Sequence, residues 1–454
     1  LEQYPPLFSF FLAISGMSHN YLVSHISVAL MFGAILFLTY WLSIQILKNR
    51  GLALMVTVIF AFSPSAWLNM LGILSENMYI VLSLGLLILL NSGDFIRPKP
   101  INTPFRLLHQ NWVLQLSSLL VLLMLCRSLG IALVAAYAVC FLLREPRLSR
   151  LYDTRLLIPV LSPVLASVAW SMSRNANDKD LYATDVNNIF LEIMNSSSPL
   201  QHFFDSITPQ IIRIHDSWYT AFQLYWLHQF HPAHIIIAVF GMCTIAGILL
   251  RLKEKQLDAW YVLFYLLILT VWPYPGQFNR FIYVLMPLFI IQGIYFIKTI
   301  SDKYATDKSI LISSIALLFV LVSVMPASAF ILGRATNVTP FEKMDFSHIS
   351  PYYNIPDIDT ANRVAYRHEH LRQDLQRLNE SVAPDDTVMW FTPNYIRLAA
   401  QRKAIRFPDA QSAVIFLQKI NDSKVDYVFS TGKLTSTLLK INRPQLLILL
   451  EQNW

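Results

Sequence analysis

Residues 279–298 read NRFIYVLMPLFIIQGIYFIK, and the seventeen positions between Arg280 and Lys298 carry no charge. A bilayer-crossing helix needs about 20 mostly apolar residues, with about 17–25 as the working range. The run therefore predicts a spanning helix, and it is one of many. Working outward, further candidate spans cover about 26–47, 52–70, 76–91, 113–126, 130–143, 156–173, 234–250, 259–273 and 309–331. Several are short by that rule. The segments at 113–126 and 130–143 are divided by Arg127 and Gly130. They read as two crossings, because a single broken helix would destroy the charge pattern described next.

With two crossings, alternate loops collect Lys48 and Arg50; Arg97, Lys99 and Arg106; Arg144, Arg147, Arg150 and Arg155; Arg251, Lys253 and Lys255; and Lys298, Lys303 and Lys308. The opposite short loops hold only Arg127 and Arg280, a ratio of fifteen to two. The positive-inside rule makes the first set cytoplasmic. The chain start, the 174–233 loop and the C-terminal tail then face outward.

Composition agrees with membrane embedding. The chain is 55% hydrophobic and 14% charged, against about 25% charged in an ordinary soluble domain. A soluble protein of 454 residues has no place for so much apolar surface. The net charge of +7 sits in loops between apolar runs, where it orients the chain rather than marking a nucleic-acid footprint. No nucleic-acid partner is expected. Cys126, Cys140 and Cys243 lie in apolar runs, so no disulfide framework is on offer.

The 174–233 loop is too long for a simple connector. Its stretch Ser217-Trp218-Tyr219-Thr220-Ala221-Phe222-Gln223-Leu224-Tyr225-Trp226 is rich in rings that favour the headgroup level, as an interfacial anchor or as a wall of a substrate cleft. Beyond about 334 the charges balance and the segments shorten. Arg363–Leu378 reads as an amphipathic helix and Asp385-Asp386 as a turn. Thr387–Phe391 reads as a strand, Ala413–Ile420 as a helix and Val425–Phe429 as a second strand. Alternating helix and strand predicts a small α/β domain. The expected fold is an α-helical integral membrane bundle over 1–333, of about ten spans, followed by a soluble outward-facing α/β domain over 334–454.

Charges at the mouth of a membrane bundle are expensive and mark functional candidates. Three lie on the outward side. Glu76 starts the third span behind Ser75, where a helix N-terminus also favours an acid. Arg127 stands between two apolar segments, and Arg280 precedes the run quoted above; both could also snorkel. Two arginines and a carboxylate at one depth suit an anionic lipid headgroup, because the guanidinium fork grips phosphate oxygens bidentately. No Gly-rich phosphate loop, nucleophile elbow or convincing metal set is evident.

The order of landmarks, Tyr4-Pro5-Pro6-Leu7, Phe62-Ser63-Pro64, Ser75-Glu76, Arg127 with Gly130, and Arg280-Phe281 with Pro287, resembles the C-class membrane glycosyltransferases. That class includes the dolichyl-phosphate-mannose protein mannosyltransferases and the bacterial aminoarabinose lipid A transferases. The resemblance covers about 1–331. It implies an inverting transfer from a polyprenyl-phosphate sugar to a lipid, glycan or protein acceptor. Tyr4, Pro5, Pro6 and Glu76 would border the substrate groove. Arg127 and Arg280 would bind the donor phosphate, with Phe281 standing where tyrosine is usual. The class's catalytic aspartate precedes the Tyr-Pro-Pro segment, so the expected acid lies upstream of Leu1, together with one further span; Glu2 is not promoted to that role. The chain is thus expected to be a fragment. No organic cofactor is called for, and a divalent cation remains open. The absence of long insertions and the compact tail suggest a bacterial inner membrane with a periplasmic tail, with the endoplasmic reticulum as the alternative. A lipid-linked sugar transporter or flippase, or an inactive scaffold of the same fold, are the rival functions.

Overall fold

A computed structural model of the chain describes residues 5–14, 21–70, 74–91, 111–144, 152–173, 191, 194–195, 198–222, 231–272, 277–304, 313, 374–375, 377–390, 396–400, 402–406, 424–431 and 436–440. The chain divides into two compact units, Leu1–Asn354 and Ile355–Trp454, a later boundary than the composition change near 334.

The first unit is a helical bundle. Its helices are α1 (Pro6–Ile14), α2 (Tyr21–Leu47), α3 (Arg50–Ala61), α4 (Pro64–Met70), α5 (Ser75–Asn91), α6 (Asn111–Cys126), α7 (Ile131–Arg144), α8 (Thr154–Met172), α9 (Pro199–Phe222), α10 (His231–Lys253), α11 (Leu257–Thr270) and α12 (Phe278–Tyr304). Among the described residues, four helices are long and apolar enough to cross a bilayer: Ile26–Leu47, Thr154–Met172, Ile235–Lys253 and Phe278–Lys303. Five shorter apolar helices accompany them. The outer faces match a hydrocarbon surround. On α8, Ile158, Leu161, Leu165, Val168 and Met172 are all exposed at helical spacing, a stripe that water would not tolerate at such length. The chain is an integral membrane protein. The candidate span at 309–331 falls outside the described residues, apart from residue 313.

One sequence expectation changes, and the neighbouring one stands. The candidate span 52–70 is two helices, α3 and α4, divided at Phe62 and Ser63. Pro64 has no N–H and biases the residue before it away from helix, and it takes the first position of α4, where a missing donor costs nothing. Ser63 satisfies the freed groups: its Oγ donates to the Phe60 carbonyl at 2.8 Å and accepts from the Ala66 N–H at 3.3 Å. The segments at 113–126 and 130–143 are separate helices joined through Arg127 and a 3-10 turn at Ser128–Gly130. Gly130 lies against the last turn of α6, where a Cβ would stand 3.1 Å from Leu123 C and Met124 N. A side chain here would press on that backbone, which would have to give way slightly.

The ends of the helices fall into two layers. Arg127 and Arg280 both meet Glu76 at one end. From there α7 carries the chain about 20 Å away at 1.5 Å per residue. At this far end Lys255 Nζ donates to the Leu143 carbonyl at 2.9 Å, and Tyr137 donates to the Arg155 carbonyl at 2.6 Å. Here Arg251, counted above among the loop charges, is buried instead. Its Nε and Nη2 donate to the two Asp258 carboxylate oxygens at 2.7 and 2.6 Å. Gln292 adds a 3.3 Å bond to the same carboxylate, and the guanidinium covers the Tyr295 ring at 5.0 Å.

The central helix α12 packs closely on α10 because glycines face across the seam. A Cβ on Gly247 would overlap the Gln292 carbonyl, and one on Gly293 would lie 2.7 Å from the Phe240 ring. Small residues are the usual device for bringing membrane helices this close. Gly247→Ala should therefore destabilise the bundle by roughly 1–3 kcal/mol, the usual cost of overpacking; a denaturation curve of the protein in micelles checks it.

The second unit contains a four-stranded sheet, β1 (Thr387–Trp390), β2 (Lys403–Arg406), β3 (Tyr427–Thr431) and β4 (Ser436–Lys440), in the order β2-β1-β3-β4. β1 runs parallel to β2 and β3, and β4 is antiparallel to β3. The strand expected at Val425–Phe429 begins two residues later. Asp426 is used instead to bracket β1: its carboxylate accepts from Thr387 N at 2.8 Å and its N–H donates to the Thr387 carbonyl at 2.9 Å. Residues 377–381 are helical, so that helix runs past the expected end at Leu378. The rest of Arg363–Leu378 lies outside the described residues except 374–375, and all of Ala413–Ile420 does too. Trp390 and Phe429 meet edge to face at 5.1 Å within a core that includes Leu378, Val388 and Ile396. Arg402 ties the core's edges by donating to the carbonyls of Val382, Ala400 and Asn379. Arg402→Ala should cost about 1–3 kcal/mol by orphaning these acceptors, seen as faster amide hydrogen exchange at Val388 to Trp390 in the full chain.

Candidate functional site

Three helix termini meet where the sequence places its isolated charges. Glu76 is in the first turn of α5, Arg127 follows α6 in extended backbone, and Arg280 is in the first turn of α12. Arg127 Nη1 and Arg280 Nη2 each lie 2.6 Å from the same oxygen, Glu76 Oε1. The carboxylate is fully buried, whereas the two arginine side chains are 13% and 28% exposed. The exposed part of the cluster thus belongs to the arginines and not to the carboxylate. Glu76 thus combines both readings open to it, an acid in a helix's first turn and a member of a charged cluster.

Neighbouring groups fix these side chains. Ser75 Oγ accepts from Arg127 Nη1 at 3.3 Å and donates to Glu76 Oε2 at 3.4 Å. Cys126 Sγ donates to the Ser75 carbonyl at 3.7 Å, pinning the end of α6 to the start of α5. The Arg127 guanidinium covers the Phe281 ring at 4.9 Å, a favourable cation–π placement that needs only a ring. One residue beyond Glu76, Asn77 accepts from Tyr283 at 2.8 Å and donates to the Asn69 carbonyl at 3.4 Å. These two bonds tie α4, α5 and α12 together.

The aromatic stretch 217–226 joins this end of the bundle. Its described part, to Phe222, is the end of α9, and it packs inward. Trp218 Nε1 donates to the Ile237 carbonyl at 3.2 Å, and its ring stacks on Phe240 at 6.0 Å. Thr220 Oγ1 donates to Asn279 Oδ1 at 2.9 Å, immediately beside Arg280. Earlier on the same helix Phe204, Ile211 and Ile212 are exposed. The helix therefore has both an outward apolar face and a face set against the cluster.

Beneath the charges lies a set of buried tyrosines. Tyr261 donates to the Tyr79 hydroxyl at 3.2 Å, and Tyr265 packs against both rings, 6.5 Å from Tyr79 and 5.9 Å from Tyr261. Of the other expected groove residues, Pro5 and Pro6 are half-buried at the opening of α1, which packs against α6. Tyr4 lies outside the described residues. No group of three or more His, Cys, Asp or Glu side chains is gathered for a metal among the described residues.

Sequence reasoning missed Asn77, Thr220, Asn279 and the tyrosines. Asn77 had a usable signal, an amide beside Glu76 at the start of an apolar run. The tyrosines had none, since their pattern is that of ordinary core.

Two guanidiniums against one carboxylate leave one net positive charge. The arrangement can hold an anion rich in oxygen acceptors, with Glu76 keeping the arginines in place when the anion is away. No family model matches the chain, and no curated protein matches it significantly. Among solved structures the chain is similar to ArnT from Cupriavidus metallidurans bound to undecaprenyl phosphate, with 12% identity and a TM-score of 0.48 over 93% of this chain and 79% of that one.

Proposed function

We propose that the protein is a membrane glycosyltransferase that takes a sugar from a polyprenyl-phosphate carrier and passes it, with inversion, to an acceptor hydroxyl or phosphate. The observation that carries this reading is the convergence of Arg127 and Arg280 on a buried carboxylate, with both arginine side chains partly exposed. A polyprenyl-phosphate sugar is a phosphodiester with a single negative charge, which balances the cluster's single positive charge. As the bond to the anomeric carbon breaks, the phosphate gains a second charge. Cations held beside that phosphate would stabilise the transition state more than the ground state, which is the condition for catalysis. The acceptor's proton would go to a carboxylate, which the resemblance assigns to a segment before the Tyr-Pro-Pro landmark. The loop charges orient the bundle with the cluster on the outward side, and the setting we favour for it is a bacterial inner membrane, with the endoplasmic reticulum as the alternative.

The test is incorporation of full-length protein into proteoliposomes with a radiolabelled polyprenyl-phosphate sugar and a membrane extract as acceptor source. Label leaving the carrier for a new product supports the transferase. Label that crosses the bilayer still attached to its carrier would identify a transporter instead.

A further inference from the structure

We propose that Tyr265 is a third contact for the anion, its hydroxyl donating to a phosphate oxygen of the ligand held by Arg127 and Arg280. The inference rests on the reading of that cluster as a phosphate site, and it adds a residue that neither charge nor motif singles out.

The side chain of Tyr265 is fully buried on α11. Its hydroxyl has no hydrogen-bond partner among the described residues. Two of the surrounding tyrosines donate elsewhere: Tyr261 to Tyr79, and Tyr283 to Asn77. Tyr265 packs on the ring of Tyr79, which stands one turn beyond Glu76 on α5, and it interacts electrostatically with Arg127, Glu76 and Arg280. Buried polar groups in folded proteins are nearly always paired, so an unmatched phenol here calls for an explanation. Guanidinium groups only donate, and the phenol adds another O–H donor. A group made of acceptors, as a phosphate is, would complete such a set of donors. A tyrosine kept only for packing would serve as well without its oxygen, because a phenylalanine fills the same space and leaves nothing unmatched.

That contrast supplies the experiment. Wild type, Tyr265→Phe and Arg127→Ala full-length proteins are placed in nanodiscs, and binding of decaprenyl phosphate is compared with binding of decaprenol. Melting temperatures are recorded without ligand. Wild type should prefer the phosphate to the alcohol. Y265F should melt no lower than wild type, since it loses only an unmatched hydroxyl, yet bind decaprenyl phosphate on the order of ten- to a hundredfold more weakly, the worth of one hydrogen bond to a charged acceptor. Its binding of decaprenol should not change. If Y265F binds the phosphate as tightly as wild type while R127A does not, the cluster stands and the role of Tyr265 falls. A marked drop in the melting temperature of ligand-free Y265F also overturns the proposal, because the hydroxyl would then be holding the fold. If wild type does not distinguish phosphate from alcohol, the phosphate reading of the cluster itself fails, and Tyr265 with it.

Discussion

Arg280→Ala should lower sugar transfer by about 10²–10³-fold at saturating donor, the usual cost of removing one preorganised group that stabilises developing charge. The fold should survive. Arg127 still sits 2.6 Å from Glu76 Oε1, so the buried carboxylate keeps a cation and the cluster becomes neutral overall. Arg127→Ala should behave alike, with some added loss of stability because its guanidinium also reaches Ser75 and covers Phe281. Arg280→Lys should recover only part of the rate, since an ammonium is a point charge without the planar fork. Initial rates with radiolabelled donor, set beside a thermal melt of each variant, separate chemistry from folding. Unchanged transfer in R280A would remove the role assigned to it.

The second large effect lies at the other end of the bundle and concerns stability alone. Asp258→Ala should destabilise the protein by about 3–5 kcal/mol, because it strands a buried guanidinium. Arg251 and Asp258 side chains are each 5% exposed, so neither charge can fall back on water. Gln292 and Tyr295 give Arg251 no substitute anion. Adding Arg251→Met to Asp258→Ala should restore most of the loss, since replacing both partners of a buried pair with apolar groups is often neutral. Unfolding curves of the two variants in micelles decide it. Equal instability in the single and double variants would mean that packing, not the stranded charge, sets the cost.

These two ends of the bundle differ in how far the sequence betrays them. At the first, Glu76, Arg127 and Arg280 stand alone among apolar residues, and topology alone puts all three on one side. Their common contact through a single oxygen could not be read, because it depends on how α5, α6 and α12 pack. At the second, Arg251 looks like any basic loop residue beside Lys253 and Lys255. Nothing local says that α10 continues through it and that Asp258 turns back to meet it. The break at Ser63 was visible as a Pro64 motif but not as the end of a helix, because the apolar pattern runs on through it. In the C-terminal unit β1 was legible from its hydrophobic run. The neighbouring β2, Lys403-Ala404-Ile405-Arg406, is four residues with charged ends, and its strand character comes from pairing alongside β1.

The glycine seam between α10 and α12 has a consequence for traffic. Two helices in backbone contact at Gly247 and against a ring at Gly293 leave no slot for an isoprenoid chain. If a carrier lipid brings its phosphate to Arg280, it does not slip sideways between these helices. They act as a closed wall, and lateral entry from the bilayer has to use a different pair of helices.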